Sequence, residues 1–438
     1  MEVGCVSDRS ETDEWHVARE HALPDESTAR ARRNYIPPQV GGWARVVGFV
    51  TDMRDGLPGS HHLYVHVPFC RLVCAYCDFV TVGGRTGEMR RYIEALLNEL
   101  AHRPAHGRLE TIYFGGGTPS LLPAALVERV VEAAVERWGA VPTEVTLEAN
   151  PSQREAPDWP GLRAAGVNRI SLGLQSLRDA ELAALARGHS AQEARAAFDD
   201  ARAIFHNVSI DLIYGIPGQS LADWGQGLRG AVALEPSHLS LYALQLVLQP
   251  DEWAAPPRAG ALRWRRRMRH GQDDELAASQ YRLAEELLDR AGYRHYELSS
   301  WAQPGSESRH NRAYWERRPY TGIGAGAHSF DGATRSWNVR DLDRYLAEAA
   351  AGRRPLEGRE ELSDRTKEFE ALALGLRLVD GVSRTTFAAE FGVDPVERYP
   401  GALGETTRAG LLEVERDALR LTAAGRLLAN EALVAFVP

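Results

Sequence analysis

Between residues 61 and 246 short apolar runs alternate six times with stretches of helical period. The strand candidates are Leu63–Val67, Thr111–Phe114, Glu144–Glu148, Arg169–Leu174, Val208–Tyr214 and His238–Leu246. Between them stand Glu88–Leu100, Ala124–Trp138, Pro160–Ala165, Asp179–Ala186 with Ala191–Ala203, and Leu221–Leu234. Strands alternating with helices predict an α/β fold, a parallel sheet with helices outside it. A closed barrel of this kind takes eight units. Six predict an open, partial (β/α)6 arc. Ligands of such sheets gather beyond the carboxyl ends of the strands, so the residues after each strand are those to read for chemistry.

The first strand runs into Cys70, Cys74 and Cys77, spaced C-x3-C-x2-C, with Tyr76 before the last. Three thiolates hold three irons of a 4Fe–4S cube and leave the fourth open to a small molecule, and such clusters reach low reduction potentials. Zinc is the competing reading, with His66 as a fourth ligand, although structural zinc usually draws on two separated ligand pairs. The only other cysteine is Cys5. A disulfide framework fails because three close cysteines leave one unpaired and no secretory signal is evident.

Other strand ends carry polar chemistry. Thr111–Phe114 passes straight into Gly115-Gly116-Gly117-Thr118-Pro119-Ser120; glycines there allow backbone to approach a ligand closely. Glu148 ends the third strand, in Glu-Ala-Asn-Pro, and Gln175 ends the fourth, in Gly-Leu-Gln-Ser. Arg187 follows in the next helix, where a guanidinium fork suits a carboxylate; a surface ion pair is the plainer alternative. Asp211 interrupts an apolar strand, and a buried carboxylate needs polar partners.

Composition sets the frame. The chain has 438 residues, 44 % hydrophobic and 25 % charged, ordinary for a globular protein. A net charge of −9 argues against a nucleic-acid footprint over the whole surface. No apolar run is long enough for a membrane span, and a reducing cytoplasm fits the clustered cysteines. Residues 1–60 read as a charged extension, partly disordered, with a weak helix signal near Ser27–Asn34. Residues 61–250 form the core, 251–360 an α+β extension, and 361–438 a small winged-helix-like domain. The extension holds the basic run Arg263-Trp264-Arg265-Arg266-Arg267-Met268-Arg269. Such a run is usually a solvated face; the alternative is a docking patch for anionic lipid or an acidic partner.

Taken together, Tyr-Val-His-Val-Pro-Phe-Cys (64–70), Cys-Asp-Phe (77–79), Phe-Gly-Gly-Gly-Thr-Pro-Ser (114–120), Glu-Ala-Asn-Pro (148–151), Gly-Leu-Gln-Ser (173–176) and Asp-Leu-Ile-Tyr-Gly-Ile-Pro-Gly-Gln (211–219) resemble the radical S-adenosylmethionine (SAM) superfamily, in its oxygen-independent coproporphyrinogen oxidase group. The resemblance runs from about residue 62 to the C-terminus. It implies a partial (β/α)6 radical SAM barrel, with a 4Fe–4S cluster on Cys70, Cys74 and Cys77 and SAM chelated at the open iron. It implies that Tyr64 and Tyr76 pack near the cluster and SAM, that Gly116 lies by the SAM amino group, and that Gly117 and Thr118 lie by a second SAM or substrate pocket. Glu148, Gln175, Arg187 and Asp211 complete the expected SAM contacts. An electron donor such as flavodoxin or ferredoxin is expected with them, alongside a small-molecule ligand.

Two details select a branch. The coproporphyrinogen dehydrogenases carry a further cysteine where Phe79 stands, which disfavours porphyrinogen decarboxylation. The Cys-Asp-Phe form and His310-Asn311-Arg312-Ala313-Tyr314-Trp315 resemble the heme chaperone branch. By that resemblance His310 is a candidate heme ligand flanked by Tyr314 and Trp315; the plainer reading is a histidine tied into a local hydrogen-bond network. Heme becomes a further expected ligand, and contact with a membrane surface an expected partner mode. Val80 and Gln245-Leu246-Val247 depart from the branch pattern. A related branch of two-SAM radical C-methylases and cyclopropanases, acting on small heteroaromatic compounds, is the alternative.

Overall fold

The computed structural model describes residues 59–152, 156–246 and 260–437. The extension expected over 1–60, including Ser27–Asn34 and Cys5, lies outside them except for its last two residues, and so does Val247.

The six expected strands all form: β1 (Ser60–Val67), β2 (Arg108–Gly116), β3 (Glu144–Ala149), β4 (Arg169–Gln175), β5 (Asn207–Tyr214) and β6 (His238–Ala243). They pair in parallel in sequence order. Alternation along each strand divides the sheet into two faces. Leu63, Val65, Ile112, Phe114, Leu147, Ile170, Leu172, Ile210 and Leu239 are buried in the main apolar core with the covering helices. The opposite, concave face is polar, as hydrogen bonds between neighbouring strands attest: His62 to Thr111, Tyr113 to Glu148, Ser171 to Asp211 and Ser209 to His238.

The helices owe their seats to the 3.6-residue period and to their ends. α1 (Met89–Ala101) buries Tyr92, Ile93, Leu96 and Leu100 on one stripe. α2 (Ala124–Trp138) stops at Gly139, whose φ of 64° is the left-handed turn that ends a helix. Capping boxes at Ser190–Glu193 and Ser220–Asp223 start the helices Ala191–Arg202 and Leu221–Val232.

The α+β extension adds strands at both sheet edges. β7 (Arg294–Glu297) and β8 (Ser300–Ala302) attach antiparallel beside β6, and β9 (Tyr320–Ile323), β10 (His328–Phe330), β11 (Thr334–Asn338) and β12 (Leu356–Glu361) attach beside β1. The result is one 12-stranded sheet, ordered β12-β11-β10-β9-β1-β2-β3-β4-β5-β6-β8-β7. β9 runs parallel to β1, with Val65 opposite Ile323. It comes from a Gly-rich stretch and is only four residues long, Tyr-Thr-Gly-Ile. Gly324 is what permits the fit: at φ 106° a Cβ would lie 2.6 Å from the His66 carbonyl oxygen.

The basic run lies on a helix, Ala261–His270. Arg263, Arg266, Arg267 and Arg269 are exposed, as a solvated face should be, but Arg265 and Met268 are buried. The C-terminal region holds the helices Asp364–Gly375, Arg384–Phe391 and Pro400–Arg408 and a three-stranded antiparallel sheet of Val382–Ser383, Ala418–Leu421 and Leu412–Val414. That order is winged-helix-like. The wing strand Ala418–Leu421 is followed by two short helices, Ala423–Leu427 and Ala429–Val434. No helix among the described residues is long and apolar enough to cross a membrane.

Candidate functional site

Beyond β1 the chain makes a closed loop. Phe69–Cys70 pairs with Val82–Gly83 and pinches off residues 71–81. The end of β2 is laced to this lead-in: the Gly117 amide donates to the Val67 carbonyl at 2.7 Å and the Thr118 amide to the Phe69 carbonyl at 2.8 Å. A Cβ on Gly116, which sits at φ 112°, would fall 2.5 Å from the His66 ring, and one on Gly117 2.7 Å from the Phe69 carbonyl oxygen. These two glycines are therefore required for close approach of one strand end to another.

The side chains of Thr118, Asn150 and Arg187 bind the loop to the other strand ends. Thr118 Oγ1 donates to Cys70 Sγ at 3.6 Å and accepts from Asn150 Nδ2 at 2.8 Å. Arg187 Nη2 donates to Asn150 Oδ1 at 2.8 Å and to the Gly173 carbonyl at 3.0 Å. Arg187 Nη1 reaches Cys74 Sγ at 3.1 Å and the Tyr76 hydroxyl at 3.4 Å. Burial opposes the charge on Arg187, but Tyr76 and Cys74 outweigh it and hold its pKa above the ordinary arginine value. Arg187 Nε, buried, keeps no hydrogen-bond partner. Among the described residues Arg187 forms no ion pair with a carboxylate, so the surface pair weighed for it is not seen there.

Glu148 lies beside this chain. It accepts from the Tyr113 hydroxyl at 2.8 Å and the Gly116 amide at 3.1 Å. Burial raises its pKa to about 7, with the Tyr113 hydrogen bond working the other way and Asp211 adding repulsion. Asp211, on β5, accepts from Ser171 at 3.1 and 3.2 Å, and burial raises it to about 6. Gln175 adopts φ 66° at the end of β4, a left-handed turn uncommon for a non-glycine residue. Tyr64 donates to His66 Nδ1 at 3.1 Å and stacks near Tyr113.

The surroundings of the thiols bear on zinc against a cluster. The His66 ring is tied in place, Nε2 by the Val80 carbonyl at 2.8 Å and Nδ1 by the Tyr64 hydroxyl. Among the described residues no three His, Cys, Asp or Glu side chains are drawn to single-ion spacing. Burial first, and the neighbouring Cys74 next, raise the Cys77 thiol to about 12. Thiolates in this setting need a partner that carries positive charge, and an iron–sulfur cube is one such partner.

Residues 64–229 match the radical SAM superfamily, and residues 362–428 match the HemN C-terminal domain. The heme chaperone HemW of Bacillus subtilis is 32% identical over 381 residues, 85% of this chain and 98% of the relative. That of Mycobacterium tuberculosis is 37% identical over 389 residues, 85% and 94% of the two chains. This chain belongs to the HemW family of radical SAM proteins. The structure of the Escherichia coli coproporphyrinogen III oxidase HemN superposes with a TM-score of 0.74 at 22% identity, over 88% of this chain and 91% of that one, so the two share a fold.

Membership in the radical SAM superfamily implies a 4Fe–4S cluster and SAM. In this HemW-family chain Cys70, Cys74 and Cys77 would hold the cluster. Glu148, Asn150 and Arg187 offer acceptors and donors for a zwitterionic ligand directly beside them. Gly116, Gly117, Thr118 and Gln175 stand at the same strand ends, while Tyr64 and Asp211 lie within β1 and β5. Asn150, Tyr113 and Arg265 were not singled out by sequence reasoning. Asn150 had a signal, two residues past Glu148 at the same strand end; Arg265 had none.

The His310 segment forms a short helix, Arg309–Trp315, at the other end of the concave face. Its N-terminal amides, those of Arg309 and His310, both donate to Glu144 at 3.1 Å. His310 is fully buried. Its Nδ1 meets Thr111 Oγ1 at 2.7 Å, its Nε2 meets the Tyr314 hydroxyl at 3.0 Å, and its ring stacks on Tyr113. Burial depresses its pKa well below the ordinary histidine value, so the ring is neutral. The plainer reading, a tied histidine, describes this conformation. Trp315 packs in an apolar cluster with Tyr320, Phe330, Leu362 and Leu374, under the Arg377 guanidinium.

Proposed function

We propose that this chain is a heme chaperone built on a radical SAM core, binding heme and passing it to recipient hemoproteins. The observation that carries the reading is the match along 98% of a relative named for that role. Phe79 supports it against porphyrinogen decarboxylation, since the dehydrogenase pattern has a cysteine there.

His310 is the residue we assign to heme iron. A metal-binding imidazole usually anchors its other nitrogen to a protein group, and Thr111 provides that anchor at Nδ1. With the proton on Nδ1, the Nε2 lone pair accepts from Tyr314. Heme would take the same lone pair, so Tyr314, which is only half-buried, has to turn away first.

The bound cluster supplies low-potential electrons to SAM. Around it this chain's own residues orient and charge-match: Arg187 offers a guanidinium to a carboxylate, while Glu148 and Asn150 offer oxygens to an amino group or ribose. The reading brings with it an electron donor of the flavodoxin or ferredoxin kind. Leu72, 62% exposed, and the exposed Arg71 put the tip of the cysteine loop within such a donor's reach.

The test is a heme titration of the anaerobically reconstituted protein, followed by absorption, beside His310→Ala. Saturation near one heme per chain that weakens in the variant supports the chaperone. Binding indifferent to His310 removes that residue from the site. No specific binding at all turns the reading toward SAM-dependent methylation of a small heteroaromatic substrate.

A further inference from the structure

One arginine of the basic run does not behave like its neighbours. The Arg265 side chain is 3% exposed and points at the cysteine loop. Its Nε donates to the Ala75 carbonyl at 2.9 Å, its Nη2 to the Cys77 carbonyl at 2.9 Å, and its Nη1 pairs with the Asp78 carboxylate at 2.7 Å. One planar fork thus grips the chain on both sides of Cys77.

The helix carrying it is anchored close by. Met268 is buried in a cluster with Leu185, Ile213, Ile216 and Leu244. Trp264 donates from Nε1 to the Ala184 carbonyl at 3.2 Å and lies against the Tyr76 ring, 6.4 Å between centroids. The same helix therefore backs both the cysteine loop and the turn that delivers Arg187 to Cys74.

Buried carbonyls need donors, and a rigid guanidinium satisfies two carbonyls and a carboxylate where a lysine offers a point charge. A loop held in shape beforehand loses less conformational entropy when it takes up a ligand. The superfamily match ends at residue 229, so this support comes from the family-specific part of the chain.

We propose that Arg265 is a positioning residue that holds the Cys74–Cys77 turn in its cluster-receiving shape. The proposal rests on the reading of the three cysteines as cluster ligands. Arg265 grips the loop backbone and Asp78 and acts on the cysteines through them.

The experiment compares wild type, Arg265→Gln, Arg265→Lys and the exposed control Arg266→Gln as full chains. Three readouts are taken: iron lost to a chelator after anaerobic reconstitution, tryptic cleavage after the exposed Arg71 in cluster-free protein, and thermal unfolding. The expected result is iron loss roughly tenfold faster in Arg265→Gln, faster cutting at Arg71, an intermediate Arg265→Lys, a wild-type-like Arg266→Gln, and cooperative unfolding throughout. Wild-type iron retention together with wild-type trypsin resistance in Arg265→Gln overturns the proposal. Should Arg265→Gln fail to fold, Asp78→Asn removes one leg of the fork, and unchanged iron loss and cutting there overturn it equally. If wild type takes up no iron, the cluster reading fails, while cutting at Arg71 in cluster-free protein still decides the role of Arg265.

Discussion

Arg187 donates to Cys74 Sγ at 3.1 Å while its second nitrogen is held by Asn150. A residue expected to face a SAM carboxylate is thus already in contact with a cluster thiol, and one guanidinium serves both neighbours. Arg187→Met should lower SAM affinity roughly tenfold or more, the weight of a lost charge-assisted pair. Equilibrium dialysis of SAM against reconstituted protein measures it. An unchanged dissociation constant would remove Arg187 from the SAM site.

Replacing Cys70, Cys74 or Cys77 singly with Ala should abolish the broad absorbance near ~400 nm that follows anaerobic reconstitution. Full iron content in all three variants contradicts the cluster assignment.

Tyr314 guards the His310 lone pair. Tyr314→Phe removes the hydroxyl at 3.0 Å from Nε2 and should tighten heme binding severalfold, in the order of one lost hydrogen bond. A Tyr314→Phe variant that binds heme more weakly would mean that Tyr314, rather than His310, meets the ligand.

Glu148 makes stability depend on pH. Its carboxyl titrates at about 7 in the folded protein because of burial, against an ordinary value of 4.5. The folded state then binds more protons between pH 4.5 and 7, so this residue's contribution to stability falls as pH rises through that window. Glu148→Gln should gain on wild type by on the order of 2 kcal/mol between pH 5 and pH 8. Denaturant titrations of cluster-free protein at the two pH values check it; a difference independent of pH would show Glu148 ionised throughout.

Gly116→Ala meets both a positive φ and the His66 ring, and should cost on the order of 2–4 kcal/mol. Gly139→Ala, at φ 64° with nothing within 4 Å of its Cβ, should cost about 1 kcal/mol. Equal losses in urea unfolding would show that the His66 contact is not the cause.

Local signals carried most of the barrel into view. Apolar alternation located β1 to β6 to within a few residues, and the cysteines, the glycine run and Glu148 announced themselves at strand ends. What stayed hidden depends on distant partners. β9 is hard to read because it is only four residues long, with Gly322 inside it and Gly324 just beyond it answering to His328 and His66. Arg265 sits among exposed arginines with nothing in the run to separate it from them. The surroundings of His310 were equally illegible, since Thr111 and Glu144 lie far away in the chain.

The pairing of β1 with β9 sets an order of events on the ribosome. Val65 must wait for Ile323 to be made. At roughly 5–20 residues per second this leaves the strand that feeds the cysteines an open edge for some tens of seconds. A nascent chain therefore carries its three thiols on unfinished scaffolding, and iron delivered in that interval finds the seat before its wall is built.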